Sequence, residues 1–409
     1  MAEQESVVET TFVVDTFEMA KEAYRCKDLR QSLYDEGEVV MADVLVNLHG
    51  LEHRTRRRAE NRMFRRETFD YYEGELFPEV IEKTIAPYVE AGAVDLVHLG
   101  HELMLNLAAL TAGVDRPEGT TEETQRLYDH MMLFVKGATL AHATGDKDAQ
   151  RACVFEGLVQ WDEEFLQPSV RRRAAILDQI AAGQASESDL PRDVLSVLLK
   201  DREELALSDE IIRREVAFFL LAGAHTSATA FVRSIDHILG WLEEHPEDRA
   251  LLTSRAFVQR CIHETIRLNP SSPIGKRRAL APVSFKSGDE VPAGGTVVID
   301  LMQVNRDVSV FGPDAAVFNP HRVLPPGVGP FGLSFAAGMH VCIGQDLAAG
   351  VLGNDPDASD GQLYGLVTSA VQRMFDAGVA SDPDNPPQRD ANTARPYWGV
   401  YPATFPVGA

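Results

Sequence analysis

Cysteine is scarce in this chain of 409 residues, which has four cysteines, Cys26, Cys153, Cys261 and Cys342. They are widely separated and never form a C-x-x-C pair, which argues against a disulfide framework and against a structural zinc site. The chain also lacks Gly/Ser-rich or Pro-rich linkers, internal repeats and low-complexity tracts, so we expect a single domain over residues 1–409.

Long apolar runs are missing as well. The longest, Val216 to Ala224, is far shorter than a membrane span. The amino terminus is acidic and polar, without the basic-then-apolar pattern of a secretory signal. We therefore expect a soluble protein of the cytoplasm, where a reducing environment suits the unpaired cysteines.

Positive charge is in short supply, with 39 Lys and Arg against 62 Asp and Glu and a net charge of −23. Such a surface should repel nucleic acid and anionic membranes. Residues 53–66 are an exception, because they hold seven arginines against the single acid Glu60. Taken alone, this segment is either a solvated helix face or a basic docking patch.

The order of patterns predicts a mainly α fold with a minor β region. Thr11–Val14, Val283–Phe285 and Thr296–Leu301 favour strands, and most of residues 51–201 favour helix. Ser208 is a good N-cap, and no proline follows before Pro246. This predicts one helix of roughly 35 residues, about 50 Å long, whose apolar middle is buried in a core.

A proline-rich stretch from residue 305 to 337 predicts a long loop, which is uncommon inside a compact domain and tends to be functional. It ends in Phe335-Ala-Ala-Gly338-Met-His340-Val-Cys342-Ile-Gly344, followed by a helix-prone segment. A cysteine just before a helix start receives backbone N–H groups and the positive end of the helix dipole, which favour the thiolate. The glycines would let the backbone approach something flat, and His340 can donate to an anion.

A lone cysteine is more often an inert buried residue, but this ten-residue pattern resembles the haem-binding loop of the cytochrome P450 superfamily, F-x-x-G-x-[HR]-x-C-x-G. The resemblance implies that Cys342 is the axial ligand of the iron of haem b and that Phe335 packs against it. It also implies the cytochrome P450 fold, with the haem between the long central helix and the cysteine loop.

The long helix carries Ala222-Gly223-Ala-His225-Thr226-Ser, which resembles the family's oxygen-binding motif A-G-x-[DE]-T-[TS]. Ala222 and Gly223 leave room for a haem face, and Thr226 can bond to the carbonyl one turn back and present a hydroxyl near the iron. The alternative is ordinary close helix packing through small residues. His225 stands where the family has an acid that helps to deliver protons.

Two further arginine clusters match the family. Glu264 and Arg267 fit its E-x-x-R motif, and Arg322 follows at the spacing of the arginine that joins this pair, which implies a buried structural triad. His53 and Arg57 fit H-x-x-x-R.

With His340 and an arginine of the Lys276-Arg-Arg segment, His53 and Arg57 are implied to bind the haem propionates. Arg277 is favoured for this position over Arg278 by alignment to the family pattern.

The resemblance implies a monooxygenase that inserts one oxygen atom from O₂ into a small hydrophobic substrate, by hydroxylation or O-dealkylation. Electrons would come from NAD(P)H through ferredoxin reductase and ferredoxin, docked on the basic 54–66 face, where Arg58 and Arg62 are expected to contribute. The catalytic residues would be Thr226 and His225.

Three alternatives stay open. The histidine at position 225 is compatible with a peroxide-driven or non-hydroxylating haem-thiolate enzyme, and the same fold could serve as a haem-binding sensor or carrier without turnover. A zinc protein using His340 and Cys342 is a weaker option, because no second ligand pair is visible nearby.

The substrate cavity and the region behind the cysteine loop complete the expectations. A terpenoid, a steroid or an aromatic compound would suit the apolar candidate wall. After the helix that follows Cys342, Gly350 to Gly361 should be an exposed insertion, because Pro356 and the glycines break the helix. The candidate wall consists of the loop Leu33–Asn47, Phe219, Ala222, Ser272–Ile274 and Val400–Phe405.

Overall fold

The structure, a computed structural model, describes residues 11–351, 362–391 and 397–406. Helices dominate it, as predicted. The α-helices are α1 Phe17–Arg25, α2 Glu38–Met41, α3 Gly50–Glu60, α4 Arg66–Tyr71, α5 Phe77–Ala91, α6 Leu96–Ala112, α7 Thr121–Ala138, α8 Lys147–Trp161, α9 Gln167–Ala181, α10 Val194–Lys200, α11 Asp209–Glu244, α12 Arg255–Leu268, α13 Leu301–Val304, α14 Val308–Phe311, α15 Gln345–Ala349 and α16 Leu366–Asp376.

The strands are short and belong to small sheets, which confirms the minor β region. They are β1 Thr11–Val14, β2 Leu29–Gln31, β3 Ala93–Asp95, β4 Ile274–Ala279, β5 Val283–Ser284, β6 Glu290–Val291, β7 Thr296–Asp300, β8 Ala380–Ser381, β9 Gln388–Arg389, β10 Trp398–Val400 and β11 Pro402–Thr404. The largest sheet has the order β1-β7-β4-β2, in which β1 is parallel to β7 and the other pairs are antiparallel.

The central helix α11 has the predicted length, 36 residues, and the predicted cap. The Ser208 hydroxyl accepts the Ile211 N–H at 3.2 Å and so satisfies one of the unpaired donors of the first turn. Val216, Ala217 and Leu220 are fully buried, so the apolar middle of the helix lies in the core. Helices α6, α12 and α16 pack around α11.

Helix α11 is also long and apolar enough to cross a membrane by length and composition. Within the described residues, 56% of its most apolar window is buried inside the protein, as in the core helix of a globular fold.

The segment from α13 to α15 carries the cysteine loop and is anchored to the core by side chains. Asn305 donates to the Arg267 carbonyl at 3.0 Å and to the Ser334 hydroxyl at 2.8 Å, and it accepts the Leu333 N–H at 2.8 Å. The buried side-chain amide of Asn305 thus ties this segment to α12 and to the start of the cysteine loop. This anchoring holds the Cys342 turn opposite α11.

Helix α15 ends at Ala349, close to the predicted break. Gln259 holds this end by donating to the carbonyls of Ala349 and Leu363 at 3.1 and 3.0 Å. Most of the predicted insertion, residues 352–361, lies outside the described residues.

Candidate active site

A cavity of about 330 Å³ separates α11 from the cysteine loop, and both sequence motifs line it. One wall comes from α11, with Ala222, Gly223 and Thr226, and the opposite wall comes from the turn around Cys342. The predicted residues that lie on the cavity surface are His53, Arg57, Ala222, Gly223, Thr226, Arg277, Phe335, His340, Cys342 and Gly344.

The turn around Cys342 is closed by backbone hydrogen bonds. The Cys342 N–H donates to the Phe335 carbonyl at 2.9 Å, and the Gln345 N–H donates to the Cys342 carbonyl at 3.4 Å. The Phe335 ring meets the Phe331 ring edge-on at 4.8 Å, which fixes the start of the turn. The cysteine therefore stands immediately before α15, as predicted, with its surface open to the cavity.

The acidity of Cys342 differs from the expectation. Burial among surrounding protein atoms raises the pKa of the thiol, although the N–H groups of Gly344 and Gln345 and the charge of Arg57 lower it. The sequence predicted only the second group of effects and therefore a thiolate. A bound cation at the sulfur would reverse the balance, since the thiolate is the form that coordinates metal.

The two glycines of the loop have different reasons for being there. Gly338 has φ +70°, and a Cβ at this position would lie 2.5 Å from the Tyr24 carbonyl oxygen, so the residue is required by packing against the end of α1. It does not line the cavity, which corrects the expectation of close approach to a flat group. A Cβ on Gly344 would meet nothing within 4 Å, so this glycine leaves open space beside the sulfur.

Two histidines, the buried His53 and the half-buried His340, meet on the cavity wall without compensating charge. The rings of His53 and His340 are 4.3 Å apart. Neither ring nitrogen of His53 has a hydrogen-bond partner among the described residues, and the same is true of Nε2 of His340. Burial and then the charge of Arg57 lower the pKa of His53 to about 4. Burial and then His53 lower the pKa of His340 to about 3.

The alternation of β4 decides between the two candidate arginines. Arg277 is 5% exposed and lines the cavity, where its guanidinium lies 4.9 Å from the Tyr24 ring and donates to the Gln31 side chain at 3.1 Å. Arg278 points to the opposite, exposed face of the strand. The side chain available to a ligand in the cavity is therefore Arg277.

On α11, the Thr226 hydroxyl donates to the Ala222 carbonyl at 2.6 Å, the local bond expected from the motif. A Cβ on Gly223 would lie 3.2 Å from the Cβ of Ala108, so this glycine also allows close packing of α11 on α6. Both interpretations of the small residues, open space for a ligand and helix packing, hold here.

His225 does not line the cavity. Its ring stacks on the ring of His101 from α6, with centroids 5.8 Å apart and an interplanar angle of 17°. It also meets the Tyr397 ring edge-on at 6.1 Å. This side chain therefore points away from the space that Thr226 faces, because successive residues of a helix are turned by about 100°.

Comparison with known proteins agrees with this geometry. A family model for Cytochrome P450 matches residues 248–351, which contain both the E-x-x-R helix and the cysteine loop. Pulcherriminic acid synthase of Bacillus subtilis (strain 168) is 27% identical over 327 residues, which cover 78% of this chain and 74% of that protein. The chain is similar in sequence to cytochrome P450s.

Other comparisons show how far the likeness extends. Human cytochrome P450 4F12 is 32% identical over 183 residues, 38% of this chain, which therefore spans about a third (34%) of that relative's length. The crystal structure of CalO2 matches this chain with a TM-score of 0.73 at 17% identity, covering 97% of this chain and 91% of that chain. The fold is that of a cytochrome P450.

Haem b is the cofactor of cytochrome P450s, and the side chains that line this cavity fit it. The crowded, uncharged pair of His53 and His340 lies beside Arg57 and Arg277, a donor set that lacks an anion and matches the propionates of haem. Cys342 supplies a thiol to the same lining, and Gly344 keeps the space beside it open.

The triad predicted from E-x-x-R is present and buried. Arg267 donates to both carboxylate oxygens of Glu264 at 2.6 and 2.7 Å, and Arg322 donates to the same carboxylate at 3.0 Å. Arg267 also reaches the carbonyls of Asn305 and Ala315. None of the three side chains of the triad lines the cavity, so we assign the triad a structural role.

The arginines of the basic segment 53–66 divide into separate groups. Arg54, Arg58 and Arg65 are exposed and border an open depression of about 1320 Å³ that reaches Cys342 from behind. Arg56 points inward to Glu215, and Arg62 pairs with Asp201. The predicted basic face is thus smaller than expected and does not include Arg62.

The expected substrate wall is right in part. The predicted wall residues that lie on the cavity surface include Leu33, Leu45, Val46, Phe219, Ala222, Ser272 and Ile274. The stretch Val400–Phe405 does not line the cavity, because β11 is paired between β3 and β8 and its side chains fill the core. Phe64 and Leu107 line it without having been predicted, since an apolar residue on a helix looks the same whether it faces a core or a cavity.

Proposed function

We propose that this protein is a haem-thiolate monooxygenase acting on a small hydrophobic molecule. When bound, haem supplies the reductive activation of O₂, in which two electrons and two protons leave one oxygen atom in the product and one in water. The observation that carries the proposal is that the Cys342 turn and the Ala222–Thr226 turn of α11 face each other across one cavity.

Each lining residue takes a defined part in this proposal. Cys342 would bind the haem iron through its sulfur, and Phe335 packs at the start of its turn. The haem propionates would be held by His53, Arg57, Arg277 and His340, the two arginines as cations and the histidines as hydrogen-bond donors.

Proton supply is assigned to α11. The Thr226 hydroxyl lies on the cavity surface and can pass a proton into it, while its bond to the Ala222 carbonyl orients the group. His225, one residue earlier and stacked on His101, is proposed to bring protons from the far side of the helix.

An apolar substrate fits the rest of the lining. Leu45, Val46, Phe64, Leu107 and Phe219 surround the end of the cavity with side chains that offer no hydrogen bonds. A terpenoid, a steroid or an aromatic compound would match this surface. The four free cysteines fit a reducing cytoplasm, to which we assign the protein.

The proposed electron donor is an acidic ferredoxin, supplied by ferredoxin reductase and NAD(P)H. Lys27, Arg54, Arg58 and Arg65 border the depression behind Cys342, and Asp346 is the one acid among its described lining residues. On a protein of net charge −23, this local positive field would steer a negatively charged partner to the cysteine side.

Two measurements test the proposal. The purified protein should contain haem, and the carbon monoxide spectrum of its reduced form should show thiolate ligation, which Cys342→His should replace with a histidine-type spectrum. Product formation from a compound that shifts the haem spectrum, with ferredoxin, its reductase and NADPH, then separates an enzyme from a haem sensor. A globin-like spectrum of the wild-type protein would refute the proposal.

One observation favours a peroxide-driven enzyme as second candidate. The position before Thr226 is a histidine that turns away from the cavity, so the acid used for proton delivery in O₂-driven relatives is missing. Peroxide brings its own protons and electrons. Turnover with hydrogen peroxide that exceeds turnover with ferredoxin and NADPH would favour this candidate.

A further inference from the structure

A buried cluster of three charged side chains lies next to the cavity and takes no part in the functions proposed above. Arg56 and Glu60 stand one turn apart on α3, and Glu215 faces them from α11. Arg56 is 5% exposed, and both glutamates are fully buried. Burying such groups is costly, so their partners indicate what they hold in place.

Glu215 bonds to two different parts of the chain. Its carboxylate accepts a hydrogen bond from Arg56 Nη1 at 2.7 Å. It also accepts a hydrogen bond from the backbone N–H of Leu45, whose nitrogen lies 3.0 Å from Oε1 and 3.2 Å from Oε2 of Glu215. One side chain of the central helix thus joins α3 to the turn Leu45–Asn47.

Glu60 is the third member of the cluster. Its two carboxylate oxygens have no hydrogen-bond partner among the described residues. Burial and then the charge of Glu215 raise the pKa of Glu60 well above its usual value. Burial also raises the pKa of Glu215 to about 7, although Arg56 and the Leu45 N–H lower it, so the two carboxyl groups share one cation, Arg56.

The turn held by Glu215 is part of the cavity wall. Leu45 and Val46 lie on the cavity surface, next to Phe219, which stands one helical turn after Glu215. The chain enters this turn through Asp43, a non-glycine residue with φ +58°, which is an uncommon conformation that needs outside support. Val44 is fully buried and provides part of that support.

A buried ion pair is weak evidence for stability, because apolar side chains of the same volume often serve a fold as well or better. What a carboxylate does better is to fix the position of a backbone N–H, since the bond is directional and charge-assisted. We propose that Glu215, oriented by Arg56, is a positioning residue that sets the Leu45–Val46 wall and thereby the size of apolar ligand that the cavity accepts. This rests on the proposed function, in which the cavity takes an apolar substrate.

The test compares a short and a long ligand of the haem iron in the haem-loaded protein. Dissociation constants are measured from the shift of the haem absorption band with imidazole, which stays near the iron, and with 1-dodecylimidazole, whose tail occupies the apolar part of the cavity. The variants are Glu215→Ala, which removes both bonds, and Glu215→Gln, which keeps an acceptor for the Leu45 N–H but loses the charge. The controls are Glu244→Gln, an exposed charge change on the same helix, and Glu60→Gln.

We expect Glu215→Ala to weaken binding of 1-dodecylimidazole about tenfold, equivalent to about 1.4 kcal/mol, with less than about a twofold change for imidazole. Glu215→Gln should give a smaller change in the same direction, and the two controls should match the wild type. Amide hydrogen exchange of residues 42–48 provides a readout that does not involve the haem. It should be faster in Glu215→Ala and unchanged in both controls.

Unchanged exchange of residues 42–48 together with an unchanged ratio of the two dissociation constants would overturn the proposal. If Glu215→Ala does not fold, Glu215→Gln decides in the same way, because it must still show the weaker shift. A wild-type protein that binds imidazole but not 1-dodecylimidazole would contradict the apolar-substrate function instead, and the exchange measurement would still decide whether Glu215 holds the turn.

Discussion

The substitution Arg267→Leu tests whether the cysteine loop depends on the triad beneath it. Arg267 is fully buried and donates four hydrogen bonds, two to Glu264 and one each to the carbonyls of Asn305 and Ala315. Leucine fills most of the apolar volume but satisfies none of these acceptors. Glu264 would keep Arg322 at 3.0 Å and the Asn319 N–H at 3.2 Å as its partners.

Removing one partner of a buried ion pair costs about 3–5 kcal/mol, and the two carbonyls left without a donor place this case at the upper end. The free energy of unfolding is measured by urea titration of the haem-loaded protein, followed by circular dichroism, together with the rate of haem loss to apomyoglobin. Arg151→Leu is the matched control, because Arg151 pairs with Asp148 on the surface and should cost about 0–1 kcal/mol.

If Arg267→Leu lowers the free energy of unfolding by an amount within about 1 kcal/mol of the control, the structural role of the triad is refuted. Such a result would mean that the acceptors of Arg267 find other donors when the arginine is removed. A loss of stability without faster haem loss would show instead that the triad supports the core but not the loop. Both outcomes are read from the same samples.

Three further predictions concern separate parts of the molecule. Glu60→Gln should raise the free energy of unfolding, and the gain should be larger at about pH 8 than at about pH 5. Because the pKa of Glu60 is raised in the native protein, Glu60 keeps its proton to a higher pH there than in the unfolded chain, where it is released above about 4.3. Wild-type stability therefore falls as pH rises. Urea midpoints that give a pH-independent gain would contradict this. Thr226→Ala should lower the product formed per electron consumed, with haem content unchanged, because the hydroxyl on the cavity surface is lost; equal yields would remove this hydroxyl from proton supply. Arg58→Glu should slow reduction by ferredoxin in stopped-flow measurements at low salt. Arg62→Glu, which breaks the pair with Asp201 away from the depression, should mainly lower Tm. Equal slowing by both variants would contradict the proposed position of the docking surface.

Features written in neighbouring residues could be predicted well. The span of α11 follows from the Ser208 cap and the absence of proline before Pro246, because helix formation depends on local spacing. The Thr226 bond to Ala222 and the position of Cys342 before α15 are local for the same reason. The cysteine-loop pattern indicated the same family to which the comparisons show similarity.

Features that depend on residues far away in the sequence could not be predicted. Arg56, Arg58 and Arg62 look alike in sequence, and only the packing of α3 turns the first toward Glu215 and leaves the second on the surface. Gly338 is required by the end of α1, more than 300 residues earlier. His225 turns toward His101 because α6 packs on that side of α11.

The sequence alone therefore predicted the long helix α11 and the cysteine turn before α15, because these are set by contiguous patterns and their periodicity. Tertiary structure decided which of several identical side chains share the cavity and which lie elsewhere. It also decided how acidic the buried groups are, because burial and long-range neighbours raise the pKa of the Cys342 thiol and of the Glu60 carboxyl.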